Sequence, residues 1–97
     1  MAKGYWMFHV SISDPSAYKE YVAQFDLDAF ARHGGSFLVR GGRFEPVEGA
    51  ARERQVIIEF ASYDDALACY RSPEYQAASR LGWNSAVTDL VIVEGVD

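Results

Sequence analysis

A chain of 97 residues that is 49% hydrophobic, 14% aromatic and 24% charged is one domain's worth of folded polypeptide, too short for two ordinary cores and too apolar for a disordered chain. Fourteen Asp and Glu against nine Lys and Arg give a formal charge of −5, which opposes a phosphate backbone, and no local basic patch offsets it, so nucleic acid is not expected as a partner. No run approaches the about 20 apolar residues of a membrane-spanning helix, the start Met1-Ala2-Lys3-Gly4 lacks the apolar stretch of a secretory leader, and the single Cys69 has no cysteine to pair with, so a cytoplasmic protein is expected.

In chain order, Gly4 to Ile12 alternates, with Trp6, Phe8, Val10 and Ile12 on one parity and Tyr5, Met7, His9 and Ser11 on the other, which predicts a strand. Asp14-Pro15 is a helix start, since Asp accepts from free backbone N–H groups and Pro loses nothing at the first helical position. Tyr18, Tyr21, Val22, Phe25 and Ala29 recur at helical steps, and Arg32-His33-Gly34 supplies basic residues and a left-handed cap. The helix is expected from Pro15 to His33, irregular around Asp26 and Asp28. A second strand is predicted from Ser36 to Arg40, interrupted by Gly41-Gly42 and resuming over Arg43 to Val47 as a bulged edge strand, because Pro46 has no ladder donor. Glu48-Gly49-Ala50-Ala51 makes the turn.

The third strand, Arg54 to Phe60, places Val56, Ile58 and Phe60 on one side and Gln55, Ile57 and Glu59 on the other. Ser62 with Asp65 resembles a capping box with the shorter acid, opening a helix through Tyr70. Ser72-Pro73-Glu74 repeats the start signal for a helical piece to Leu81 with Gly82 as its stop. Thr88 to Glu94 is the fourth strand. The order βαββαβ predicts an α+β ferredoxin-like sandwich with a four-stranded antiparallel sheet, residues 1–97 forming one domain.

In such a sandwich the helices cover one sheet face. Here Tyr5, Met7, Ile57 and the unbroken Leu90-Val91-Ile92-Val93 make the strands apolar on both parities, as in sheets covered on both sides. A second copy packing sheet against sheet, a homodimer, is the expected cover.

Gly4-Tyr5-Trp6, Tyr18-Lys19-Glu20-Tyr21, Phe37-Leu38-Val39-Arg40-Gly41-Gly42, Glu48-Gly49, Val56-Ile57-Ile58-Glu59-Phe60, Tyr70-Arg71-Ser72-Pro73-Glu74-Tyr75 and Val91-Ile92-Val93-Glu94-Gly95 together resemble the bacterial domain-of-unknown-function 1330 family from end to end. The resemblance implies a branch of the dimeric α/β-barrel superfamily, whose other branches include cofactor-free monooxygenases, muconolactone isomerase and haem-binding chlorite dismutase-like proteins. It implies the fold and the dimer and carries no catalytic residue across. Gly82-Trp83-Asn84 departs from the short charged or small residues of the family pattern.

For chemistry, Arg40-Gly41-Gly42-Arg43 offers an anion contact through Arg40, yet a strand and not a helix follows its glycines, which speaks against a phosphate loop. His9, in an apolar strand, has the side chain suited to acid–base work near neutral pH. His9 and Glu59 are expected as lateral neighbours, joined by Arg40 and Gln55 in a polar cluster with Tyr5 nearby, where a small organic acid or aromatic compound would bind. The competing reading is that these polar groups satisfy one another. Ser72 reads as a helix cap, Tyr18, Tyr21 and Phe25 as core, Tyr70 and Tyr75 as an aromatic brace, and Cys69 as a buried small hydrophobe. His9, His33 and Cys69 fall on separate elements, so neither a metal site nor a cofactor is expected. A non-catalytic binding or protein-interaction module is the alternative to an enzyme.

Overall fold

Alternation along Gly4–Ile12 produces strand β1 (Gly4–Ile12), with Trp6 and Val10 buried at 1% exposure each and His9 and Met7 exposed. The computed structural model describes residues 2–24, 27–80 and 86–97. Asp14 caps the next element as its side chain suggests: its Oδ1 accepts from Ala17 N at 3.1 Å, starting α1 (Pro15–Gln24). Where one helix to His33 is expected, a second, α2 (Leu27–Arg32), follows. Asp28 lies inside that helix, and Asp26 lies outside the described residues. α2 ends as its sequence predicts. Gly34 takes φ +80, Gly34 N donates to Ala31 O at 2.9 Å and Gly35 N to Phe30 O at 2.7 Å, the paired bonds of a glycine-terminated helix.

Strand β2 (Ser36–Arg40) departs from expectation in two ways. Its irregularity sits between Phe37 and Val39, not at the two glycines, and no strand resumes over Arg43 to Val47. Gly41 turns the chain out of the ladder with φ +64, a conformation costing a side-chain-bearing residue about 1–2 kcal/mol, and its N–H closes the pairing on Gln55 O at 2.8 Å. Pro46, which has no N–H, then cannot rebuild the ladder.

Strand β3 (Arg54–Phe60) leads into α3 (Tyr63–Arg71), α4 (Pro73–Arg80) and β4 (Ala86–Glu94). Ser62 Oγ accepts from Asp65 N at 3.1 Å, the expected cap. Ser72 ends one helix and starts the next: its Oγ donates to Cys69 O at 2.7 Å and accepts from Tyr75 N at 3.3 Å. That employment fits a cap, with Pro73 at the first helical position. The expected end of α4 at Leu81 with Gly82 as stop lies outside the described residues, and β4 begins two residues before Thr88.

The sheet runs β2-β3-β1-β4, every pair antiparallel, a ferredoxin-like arrangement. Trp6 is the hub of the core. Its ring meets Phe30 of α2 at 5.4 Å and 86° and Tyr75 of α4 at 4.8 Å and 81°, edge-on geometries that suit the ring quadrupole. Its Nε1 donates to Ala66 O of α3 at 2.8 Å. Val56, Ile58, Phe60, Ala66 and Cys69 complete the cluster. Tyr70 and Tyr75, with ring centroids 5.3 Å apart, brace it.

Two outcomes follow from this core. Trp6→Phe removes the buried hydrogen bond and part of the ring, and urea unfolding should report a loss of about 2–4 kcal/mol; a loss under about 1 kcal/mol would show that Trp6 is no hub. Burial, with the Glu74 carboxylate adding, pushes the Cys69 thiol from 9.0 up to about 11, and burial raises Tyr75 from 10.0, with Tyr70 and Cys69 adding. The neutral thiol is the form the folded state prefers. Its contribution is therefore complete below pH 9.0 and is lost as pH rises to about 11, because the unfolded chain releases the proton first. Stability measured across that window should fall, and Cys69→Ala should fall less steeply, Tyr75 supplying the remainder.

Candidate functional site

Period-two alternation leaves one face of the sheet to Tyr5, Met7, His9 and Ser11 of β1, Gln55, Ile57 and Glu59 of β3, and Val87, Asp89, Val91 and Val93 of β4, with β2 adding Ser36 and Val39. Its middle is apolar and open: Met7 is 37% exposed, Val39 36% and Val91 58%. Its two ends are polar, and they differ.

At one end Glu59 accepts from Lys3 Nζ at 3.0 Å and from Tyr5 Oη at 3.3 Å. The hydrogen bond and charge of Glu59 hold the Lys3 ammonium above its ordinary range. At the other end His9 stands directly opposite Gln55 on β3 and Asp89 on β4. Gln55 Nε2 donates to Arg52 O at 2.6 Å. Because that partner is a carbonyl, the amide orientation is determined and Oε1 remains an acceptor. Arg52 in turn donates from Nε to Asp89 Oδ2 at 2.8 Å and from Nη1 to Ser11 Oγ at 3.1 Å, tying β1, β4 and the loop before β3 together.

After Gly41 the chain returns over this end of the open face. A cleft of about 290 Å³ results, floored by His9, Val39 and Gln55 and walled by residues 42–46 and Ala51. Phe44 and Pro46 make much of that wall apolar. The arrangement suits a small, flat molecule against Phe44 and Pro46 with a polar edge toward the His9 imidazole and the Gln55 carbonyl.

The expected cluster is thus divided. His9 and Gln55 come together. Glu59 does not neighbour His9: the register pairs it with Tyr5 and pairs His9 with Gln55, four residues apart along the strands, or about 13 Å. Arg40 leaves the cluster altogether. The irregularity at Leu38 reverses parity, so Val39 joins Ile57 on the open face and Arg40 joins Val56 on the helix face, with its guanidinium carbon 4.9 Å from the centroid of Phe37. Asp89, Arg52 and the Phe44 wall escape the sequence reading. The parity that Asp89 shares with Val91 and Val93 is the signal that would have put it on the open face. Among the described residues no group of three or more His, Cys, Asp or Glu side chains comes together, and no helix is long and apolar enough to cross a membrane.

The family described as Domain of unknown function (DUF1330) matches residues 3–96. Among solved structures the chain is similar to a protein of unknown function from Rhodopseudomonas palustris, at 18% identity and TM-score 0.74, over 99% of this chain and 84% of that one. It is similar to SnoaB, a cofactor-independent oxygenase from Streptomyces nogalater, at 10% identity and TM-score 0.64, over 100% of this chain and 96% of that one. A dimeric ferredoxin-like protein of unknown function from Thermobifida fusca is similar at 13% identity and TM-score 0.57, over 98% of this chain and 92% of that one. No curated protein matches. At these identities the likenesses show the fold.

Proposed function

The chain belongs to the DUF1330 family, and from that premise we propose that it is a cytoplasmic bacterial homodimer, one domain per subunit, that holds a small aromatic or organic-acid molecule in the open-face cleft and moves a proton on it through His9. The observation that carries this reading is the position of His9: on the floor of a 290 Å³ cleft, flanked in register by Gln55 and Asp89. An imidazole accepts or donates a proton near neutral pH, and the free Gln55 carbonyl orients a hydroxyl or N–H of the ligand beside it. The dimer is supported by the exposed apolar centre of the same face, and the Thermobifida fusca neighbour is described as dimeric. SnoaB's described oxygenase activity supports catalysis only at the level of fold, and one fold hosts many reactions. Tyr5 and Glu59, at the far end of the face, would serve the subunit contact or a second part of a longer ligand.

Binding without turnover is a second reading, favoured by one observation. Asp89 Oδ2 is taken by Arg52, and His9 makes no hydrogen bond among the described residues, so no acid orients the imidazole.

Native mass spectrometry for a co-purified molecule, followed by amide NMR titration with that molecule and with phenol, catechol and benzoate, tests the proposal. Shifts centred on His9, Gln55 and Phe44 are expected. His9→Asn should retain binding and lower turnover of the co-purified compound by about a hundredfold or more. Unchanged turnover in that variant would discard His9 as the proton handler, and no turnover by the unaltered protein would leave binding alone; no compound shifting the cleft residues would contradict both readings.

A further inference from the structure

On the helix face of the sheet two arginines stand together without a counter-charge among the described residues. Arg40 pairs with Val56 across the β2–β3 ladder, which makes Arg54, two residues along β3, its diagonal neighbour on the same face, within reach for long side chains. Arg54 Nε is buried and makes no hydrogen bond. Its guanidinium lies against the bare backbone of Gly41: a Cβ added there would meet Arg54 Nη1 at 2.5 Å and Cζ at 2.7 Å. Arg40 is in turn stacked at 4.9 Å on Phe37. Among the described residues neither arginine has an ion pair or a side-chain hydrogen bond.

Glu53, adjacent to Arg54 in the chain, is spent on a backbone N–H group, its Oε2 accepting from Ile12 N at 2.7 Å, and Glu45 lines the cleft on the other face of the sheet. Contact with a ring and with a glycine gives the two forks no protein acceptor among the described residues, and of their N–H groups the Arg54 Nε–H is the buried one. A buried charged donor without a partner is costly, and two like charges side by side add to that cost. In a chain of net charge −5, no described carboxylate is paired with either arginine.

We propose that Arg40 and Arg54 form a binding site for an oxyanion, a carboxylate or a phosphate carried by a small molecule, at the rim of the helix face next to Gly41. The planar forks match either group bidentately, which an ammonium does not. Gly41 serves the site twice. Its left-handed backbone ends the strand, and its missing side chain makes room for the Arg54 fork. This site lies across the sheet from the His9 cleft and does not depend on it.

Titration of the protein with inorganic phosphate and, separately, with acetate, at ionic strength matched with chloride, tests the site through the Arg54 Nε–H and Gly41 amide NMR signals. Saturable shifts of both are expected, and the tighter of the two anions identifies the class. Arg54→Lys keeps the charge and loses the fork, and should weaken binding about tenfold or more. Arg40→Met, at an exposed position, should weaken it in the same sense and serves alone where the Arg54 variant does not fold. No saturable shift with either anion, or unchanged affinity in the folded variants, would overturn the proposal.

Discussion

A sheet whose strands are apolar on both parities needs cover on both sides, and here the side chains that α2, α3 and α4 bring to the core converge on Trp6, on one face only. That asymmetry organises the molecule. The covered face becomes a dry, aromatic core with the indole N–H spent on a helix carbonyl. The other face keeps Met7, Val39, Val87, Val91 and Val93 in contact with water. An exposed apolar patch of this kind marks an interaction surface, and burying the part of each valine still exposed, 36–58%, is worth about 0.5–1.7 kcal/mol. The patch lies between two polar ends, one closed on itself through Lys3, Tyr5 and Glu59 and one open at His9.

Faces were legible in the sequence, and registers were not. Period two tells which residues share a side: Trp6, Val10, Val56, Ile58 and Phe60 inward, Tyr5, Met7, His9 and Ile57 outward. It carries no information about which residue of a distant strand stands opposite, because that offset depends on how the intervening helices and loops close. His9 therefore found Gln55 and Asp89 in place of Glu59. A single irregularity at Leu38 had a larger effect, since one extra residue in a strand inverts every later side chain. It moved Arg40 from the His9 face to the helix face and so separated His9 from the arginine expected beside it. The helix caps, by contrast, depend on local chemistry alone, and Asp14, Gly34, Ser62 and Ser72 occupy the roles their side chains suggest.

The chain between Gly41 and Arg52 draws these threads together. Its glycine turn ends β2, makes room for the Arg54 guanidinium on one side of the sheet, and sends Phe44 and Pro46 back over the other. Arg52, where that loop ends, anchors Asp89, Ser11 and the Gln55 amide. The loop thus sets the shape of the cleft and shields one end of a face whose centre remains bare.

Whether that bare centre is an interface is the claim on which the rest turns. Light scattering of the purified protein at micromolar concentration decides it. A particle of twice the 10.8 kDa chain mass, reverting toward a single chain when Val91 is replaced by Asp, is the result that sheet-to-sheet pairing predicts. A particle of one chain's mass, with the native spectrum intact, would contradict it.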